Sequence, residues 1–597
     1  MNSKSHSPLH DLWIRNGLIV DGTGAPAFEG DLLIEAGRIA AISLGPLEHD
    51  PALSGVAGLA ARARAAETID ATGLLVTPGF VDVHTHYDGQ ATWDEMLAPS
   101  CWHGVTTIVM GNCGVGFAPV VPGREQVLIE QMEGVEDIPG TALSEGIEWR
   151  WESFPEYLDA LGERRFMLDV GTQVPHAAVR AYVMGERAGE IEPTDAELER
   201  ICEIVREGIR AGALGVSSSR ILAHRTSRGL EVPGTFAGER ELEAMARVLG
   251  ELGTGVFEVV PRGMDGEVSP TSHAEIDWMG RLAKTIGRPV TFSLVQTHTE
   301  IDRFQLLLDR SQQLRDEGAP LYPQVANRAT GILIGLQSDE HTFSTRPSYR
   351  ALAQLPLPER IARLRDPAVK AKMLAEPIGP YGHPQSAMVH QGFQNLFILG
   401  ARFDMEPSVE DTIAVRAKRL GRDPAELVYD LFLEHEGRSF LLFPFTNYFR
   451  GSLDDVHSML THPSSVWGLG DGGAHCGVAC DAGGPTLMLT HWVRDRTRGP
   501  RIPLADAVRM MTSEPAALYG LGDRGRLAPG LRADVNVIDH AKLQIELPEM
   551  IFDLPAGGRR IMQRAHGYHR TIVAGEVTIR NDAATGARPG RLVRGAR

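Results

Sequence analysis

The chain has 597 residues, with 59 Lys and Arg against 77 Asp and Glu, so its formal net charge is −18. That acidic surplus argues against a surface that tracks nucleic-acid phosphates. With 43% hydrophobic and 23% charged residues, the composition is that of an ordinary globular protein and excludes disordered and collagen-like classes.

The opening stretch MNSKSHSPLHDLWIRN has no apolar region behind its lysine, and no run of about 18 apolar residues follows anywhere. Neither secretion nor membrane insertion is expected. Five cysteines in so long a chain are too few, and odd in number, for a disulfide framework, so a cytoplasmic location is the expectation.

LWIRNGLIVDG and DLLIEAGRIAAIS are short aliphatic runs broken by turn signals, and they read as strands. The same texture returns at the far end in ADVNVID and in RTIVAGEVTIRN, around Ala574-Gly575. The expectation is one small β-sandwich domain built from both chain ends, residues 1–77 and 523–597. Between them, residues 78–522 alternate short apolar runs with amphipathic helices, the pattern of βα units. Thr194 and Glu197 form a capping-box signature, and Asp423-Pro424 opens a second helix with Gly437 as its stop. Eight candidate strands, FVDVHTH, GVTTIVMG, FMLDVGTQ, ALGVSSS, TGVFEVV, PVTFSLVQ, APLYPQV and SSVWGLGD, predict an α/β fold of the (β/α)8 TIM-like barrel type. The gap between the seventh and eighth, residues 325–463, contains PLPERIARLRD and SVEDTIAVRAKRLG and reads as a mostly helical insertion.

Side chains at the carboxyl ends of parallel barrel strands converge on one mouth. In Phe80-Val81-Asp82-Val83-His84-Thr85-His86, strand period two puts His84 and His86 on one face, where two neutral imidazoles can bind a divalent ion. A pair of partly exposed loop histidines is the plain alternative. Cys113 follows the second strand among glycines; a metal would stabilise its thiolate, although taken alone it reads as a small buried hydrophobe. Asp471 follows the last strand in a glycine-rich loop, where a carboxylate can take a proton from water and later hand it to a leaving amine. Solvated turn aspartates beside glycine are common, so this site too is weak by itself.

The order of these elements resembles the amidohydrolase superfamily, and within it the N-acyl-D-amino-acid deacylase (D-aminoacylase) family. The matching text includes VTPGFVDVHTHYDGQ, GVTTIVMGNCGVGFAP, VPHAAVR, GALGVSS, DTIAVRAKRLGRDPAELVYDLFLEH and HPSSVWGLGDGGAH, and covers almost the whole chain. The resemblance implies a divalent metal of the zinc type and hydrolysis of an amide by metal-activated water. By position it implies His84 and His86 as the metal pair, Cys113 as a metal-binding cysteine, Asp471 as general base then acid, and His176 near the substrate.

The chain also departs from the family. Two further metal histidines fall on Val260 and Leu294, which cannot ligate, so one ion on His84, His86 and Asp471 is expected rather than two. Glu258 is a candidate substitute ligand or substrate-facing carboxylate, His298 reads as a surface histidine, and His224 and His475 lie in loops that can face the site. Gln296 stands where the family has a lysine and Gln324 where it has a tyrosine, and no carboxylate-clamping arginine is evident in CGVACDAGGPTLML. The acyl-D-amino acid is thus the family default. The expected protein is a metal-dependent amidohydrolase acting on a small-molecule amide, with no nucleic-acid or membrane partner and its oligomeric state left open. The alternatives are a cyclic amide, lactam, carbamate or ester hydrolase on the same site, and a catalytically inactive binding protein on this scaffold.

Overall fold

The computed structural model describes residues 10–45, 65–190, 192–264, 272–380 and 386–595. The stretch before His10, read above for its lack of an apolar leader, lies outside them. Among the described residues no helix is long and apolar enough to cross a membrane.

Both chain ends build one continuous nine-stranded sheet. Its hinge is Leu75–Pro78, which pairs in parallel with His10–Ile19 on one side and antiparallel with Val535–Ile538 on the other. Tyr568–Val573 and Glu576–Arg580 extend it as the hairpin expected around Ala574-Gly575, with Ala574 at φ 48° in the turn. Alternating Leu12, Ile14, Leu32, Ile34, Val535 and Val537 close its core.

The middle of the chain carries eight parallel barrel strands. They are β1 (Phe80–Asp82), β2 (Val105–Met110), β3 (Asp169–Thr172, resuming at Val174–Pro175), β4 (Gly215–Ser219), β5 (Val256–Val260), β6 (Val290–Ser293), β7 (Leu321–Val325) and β8 (Val466–Trp467). β1 to β3 form one arc, and Val174–Pro175 through β4, β5, β6 and β7 to β8 form the other. The break in β3 joins the arcs on one side. On the other, Asp471 N–H donates to His84 O (2.9 Å) and His86 N–H to Gly472 O (2.8 Å), seaming the end of β1 to the loop after β8. The result is a (β/α)8 barrel. Val81, Val83, Val109, Val256 and Val466 form one apolar cluster with Ala516, Leu518 and Tyr519.

The helices follow their sequence signals. Thr194 and Glu197 make the reciprocal capping box of Asp195–Ala211, and the Asp423 side chain accepts from the Ala425 and Glu426 amides to start Pro424–Phe432. The latter ends at Phe432, before the expected Gly437, because His435 and Glu436 turn left-handed.

Between β7 and β8 the chain forms short helices around a three-stranded antiparallel sheet, Gly331–Ile334, Leu441–Pro444 and Phe397–Ile398, with an apolar core of its own. The far C-terminal region does more than complete the terminal sheet. A hairpin of Glu549–Leu554 and Gly558–Met562 reaches the loop after β8, where Ile561 N–H donates to Cys476 O (2.7 Å).

Candidate metal centre

β1 ends at Asp82, and the two histidines beyond it stay extended and buried, each 1% exposed. Their Nε2 atoms face one point. Cys113 Sγ lies 3.4 Å from His84 Nε2 and 3.9 Å from His86 Nε2. Asp471 Oδ1 lies 3.5 Å and 3.8 Å from the same two nitrogens. Donors around a tetrahedral ion with bonds of about 2.0–2.3 Å stand about 3.3–3.8 Å apart, so these spacings fit such an ion. His84, His86 and Cys113 are the one group of three or more metal-type side chains among the described residues whose ligand atoms all lie within 4.8 Å of one another. Two imidazoles and a thiolate suit a borderline-soft divalent ion such as zinc.

The backbone works to present these groups. Cys113 has φ 55°, and Gly111 and Gly114 flank its turn at φ 76° and 74°. A Cβ at Gly114 would meet the β4 backbone at Ser218 Cα, 3.1 Å away. Leu469, Asp471 and His475 after β8 are also left-handed, strain of a kind that gathers at functional sites.

Each imidazole is held from behind. His84 Nδ1 lies 3.1 Å from Gln324 Oε1 on β7, and His86 Nδ1 lies 3.3 Å from Glu136 Oε1, at the end of the helix Glu125–Glu136. Burial lowers the His84 pKa to about 4. Burial acts the same way on His86, but the carboxylates of Glu136 and Asp471 outweigh it and raise that imidazole to about 9. Burial also drives the Cys113 thiol well above its ordinary value. It would raise Asp471 too, yet the two imidazoles and Arg328 hold that carboxyl below the usual range. Arg328, just beyond β7, is buried; it donates to Asp481 Oδ1 (2.8 Å) and Leu469 O (2.7 Å), and its Nη2 stands 3.4 Å from Asp471 Oδ2.

The remaining residues singled out in the sequence divide. Glu258 lies in the barrel interior and accepts the Cys113 N–H at Oε2 (3.1 Å), while burial raises its carboxyl to about 8. Gln324 backs His84, as above. His224, bonded to Ser219 Oγ (2.9 Å), is close enough to feel the charges of His475, His86 and His84, and burial lowers it to about 3. The His475 side chain is 37% exposed, at the mouth. His176 is elsewhere: its two ring nitrogens are taken by Ser218 Oγ and Glu241 Oε1, both at 2.9 Å, in a buried network with Arg180. Gln296 bonds Asp455 and the Ile301 carbonyl, tying the end of β6 to neighbouring loops. Val260 and Leu294 are buried in the main apolar core, and His298 is exposed.

Two residues of the centre escape the sequence reading. Glu136 closes an amphipathic helix, where an acidic residue ordinarily faces water, and no spacing rule connects it to His86. Arg328 carried a usable signal, its place just after a barrel strand.

The chain is similar to known proteins along nearly its whole length. The chain is 25% identical over 596 residues to D-aminoacylase from Alcaligenes xylosoxydans xylosoxydans, covering 99% of both chains. It is 26% identical over 530 residues to N-acyl-D-glutamate deacylase of the same organism, covering 89% of this chain and 87% of that one. Its fold is like that of the N-acyl-D-glutamate deacylase from Bordetella bronchiseptica, solved with zinc and a phosphonate inhibitor (TM-score 0.61, 24% identity, 98% and 99% coverage). A D-aminoacylase structure matches to the same degree (TM-score 0.61, 22% identity, 98% and 100% coverage). The amidohydrolase family profile matches residues 67–579, and the chain belongs to that family.

Proposed function

We propose that this amidohydrolase cleaves the C–N amide bond of an N-acylated D-amino acid or a close small-molecule analogue, using one zinc-type ion at His84, His86 and Cys113 with Asp471 beside it. The observation that carries the reading is the convergence of His84, His86 and Cys113 on one point, with Asp471 Oδ1 at 3.5 and 3.8 Å from the two imidazole nitrogens. His84, His86 and Cys113 would hold a divalent ion, which when bound would supply Lewis acidity for amide hydrolysis. Support for one ion rather than two comes from Val260 and Leu294, which offer no ligand atoms.

The chain's own residues do the rest. Asp471, kept ionised by its neighbours, takes the proton of the attacking water and returns it to the departing nitrogen. Arg328 holds one oxygen of that carboxylate so the other faces the imidazoles. In this reading His224 and His475, from the loops after β4 and β8, contact the acyl or amine portion. The substrate class rests on the relatives' activities. Cytoplasmic residence is part of the same reading, supported by five cysteines that are all free.

The test is release of free amine from N-acetyl-D-amino acids, their L-enantiomers and neutral N-acetylamines by protein of measured metal content. The expected result is stereoselective release that a chelator abolishes and zinc restores. Zinc-loaded protein that releases amine from none of them would contradict the proposal.

A further inference from the structure

Glu136 has no place in the reaction as derived so far, yet it occupies an expensive position. It is 2% exposed, and a carboxylate buried to that extent is costly without a compensating partner. That partner is His86. Oε1 of Glu136 and Nδ1 of His86 face each other at 3.3 Å without the alignment of a hydrogen bond, and neither buried atom has any other hydrogen-bond partner. The opposite nitrogen of the same ring points at Cys113 and Asp471.

The same residue also grips the mouth. Its carbonyl accepts the His475 N–H (2.5 Å), its Oε2 stands 3.9 Å from His475 Nε2, and the adjoining Asp137 side chain accepts the Gly477 N–H (2.9 Å). One helix end therefore holds both the back of a metal-facing histidine and the loop that carries Asp471.

We infer that Glu136 is a positioning residue of the metal centre: its carboxylate fixes the Nδ1–H tautomer and ring orientation of His86 and raises the basicity of Nε2 toward the ion. The two metal imidazoles are then unlike, one backed by the carboxylate of Glu136 and the other by the neutral amide of Gln324. A carboxylate behind a ligand imidazole makes it a stronger donor, and loss of such a partner typically weakens metal binding about 10- to 100-fold. The inference rests on the proposed metal site.

The experiment is zinc titration into metal-free full-length protein against a competing chelator, for wild type, Glu136→Gln, Glu136→Asp and a control, Glu406→Gln, which removes a buried carboxylate far from the centre. Cobalt-loaded samples report the ligand field by their visible spectra. Glu136→Gln should bind zinc about tenfold or more weakly, with an altered cobalt spectrum. Glu136→Asp, which keeps the charge, should fall between Gln and wild type. The control should lose thermal stability but not zinc affinity, separating a metal effect from a folding one. Zinc affinity in both Glu136 variants within threefold of wild type would overturn the inference and leave the metal site standing. Failure of wild type to bind stoichiometric zinc would overturn both.

Discussion

Asp471 sits at φ 46°, a left-handed conformation, and its amide is tied to His84 O at 2.9 Å. A side chain held in this way loses little freedom when it acts, which is the value of local strain at a reacting group. Replacing Asp471 by Asn keeps the shape and leaves His84, His86 and Cys113 in place but removes the proton acceptor. Zinc content should stay near wild type while turnover falls by about 10²- to 10⁴-fold, measured by metal analysis and steady-state kinetics on the same preparation. Near-wild-type turnover would remove Asp471 from its role. At this scale the sequence was most informative where chemistry and spacing coincide. The two histidines of the HxH segment lie beside the cysteine and the aspartate that follow other strands. Side chains that act from behind were the hard part: nothing in the text around Glu136 distinguishes a carboxylate turned inward from one turned to solvent.

The loop after β8 depends on glycine for a definite reason. A Cβ on Gly470 would fall 2.1 Å from Asp82 Oδ2, in the packed seam between β1 and β8. Gly470→Ala must displace the buried Asp82 carboxylate, which accepts the His84 N–H, an overpacking that costs about 1–3 kcal/mol and disturbs the setting of His84 and Asp471. The expected outcome is a lower thermal midpoint together with lost activity, readable by calorimetry and assay. An active variant of unchanged stability would show the seam to be slack. Elements were legible where local signals decide them: apolar runs gave all eight barrel strands, and the Thr194 capping box and Asp423 cap gave two helix starts. The insertion's small sheet was not legible, because Gly331–Ile334, Phe397–Ile398 and Leu441–Pro444 are short and pair across long separations. Gly437 misled as a helix stop because the left-handed turn before it is made by His435 and Glu436.

Across the whole molecule, the insertion is anchored to the barrel by buried charge. Glu406 pairs in bidentate fashion with Arg496 (3.0 and 3.1 Å) beyond β8, accepts the Leu453 N–H (2.8 Å) and stands 3.2 Å from His491 Nε2. Burial would raise its carboxyl, but these partners hold it well below the ordinary range. A carboxyl depressed in the folded state contributes stability that is fully present above its unfolded pKa, about 4.3, and is lost as pH falls from there toward the folded value. Glu406→Gln leaves Arg496 with Asp454 as its remaining carboxylate among the described residues and should cost about 1–3 kcal/mol near neutral pH. The difference from wild type should shrink as pH drops below about 4, a comparison denaturant titrations at several pH values can make. An undiminished gap in acid would refute it. The terminal sheet was legible because both ends carry the same alternating texture. The docking of the 549–562 hairpin onto the mouth was not, since its partners lie far away in sequence.

Activity at the barrel mouth requires one ion gripped there. Anomalous diffraction at the zinc edge, from crystals of zinc-loaded protein, tests this most directly. A single strong peak bonded to His84 Nε2, His86 Nε2 and Cys113 Sγ, with Asp471 beside it, is the predicted result. A principal peak away from these side chains, or none in the barrel, would contradict it.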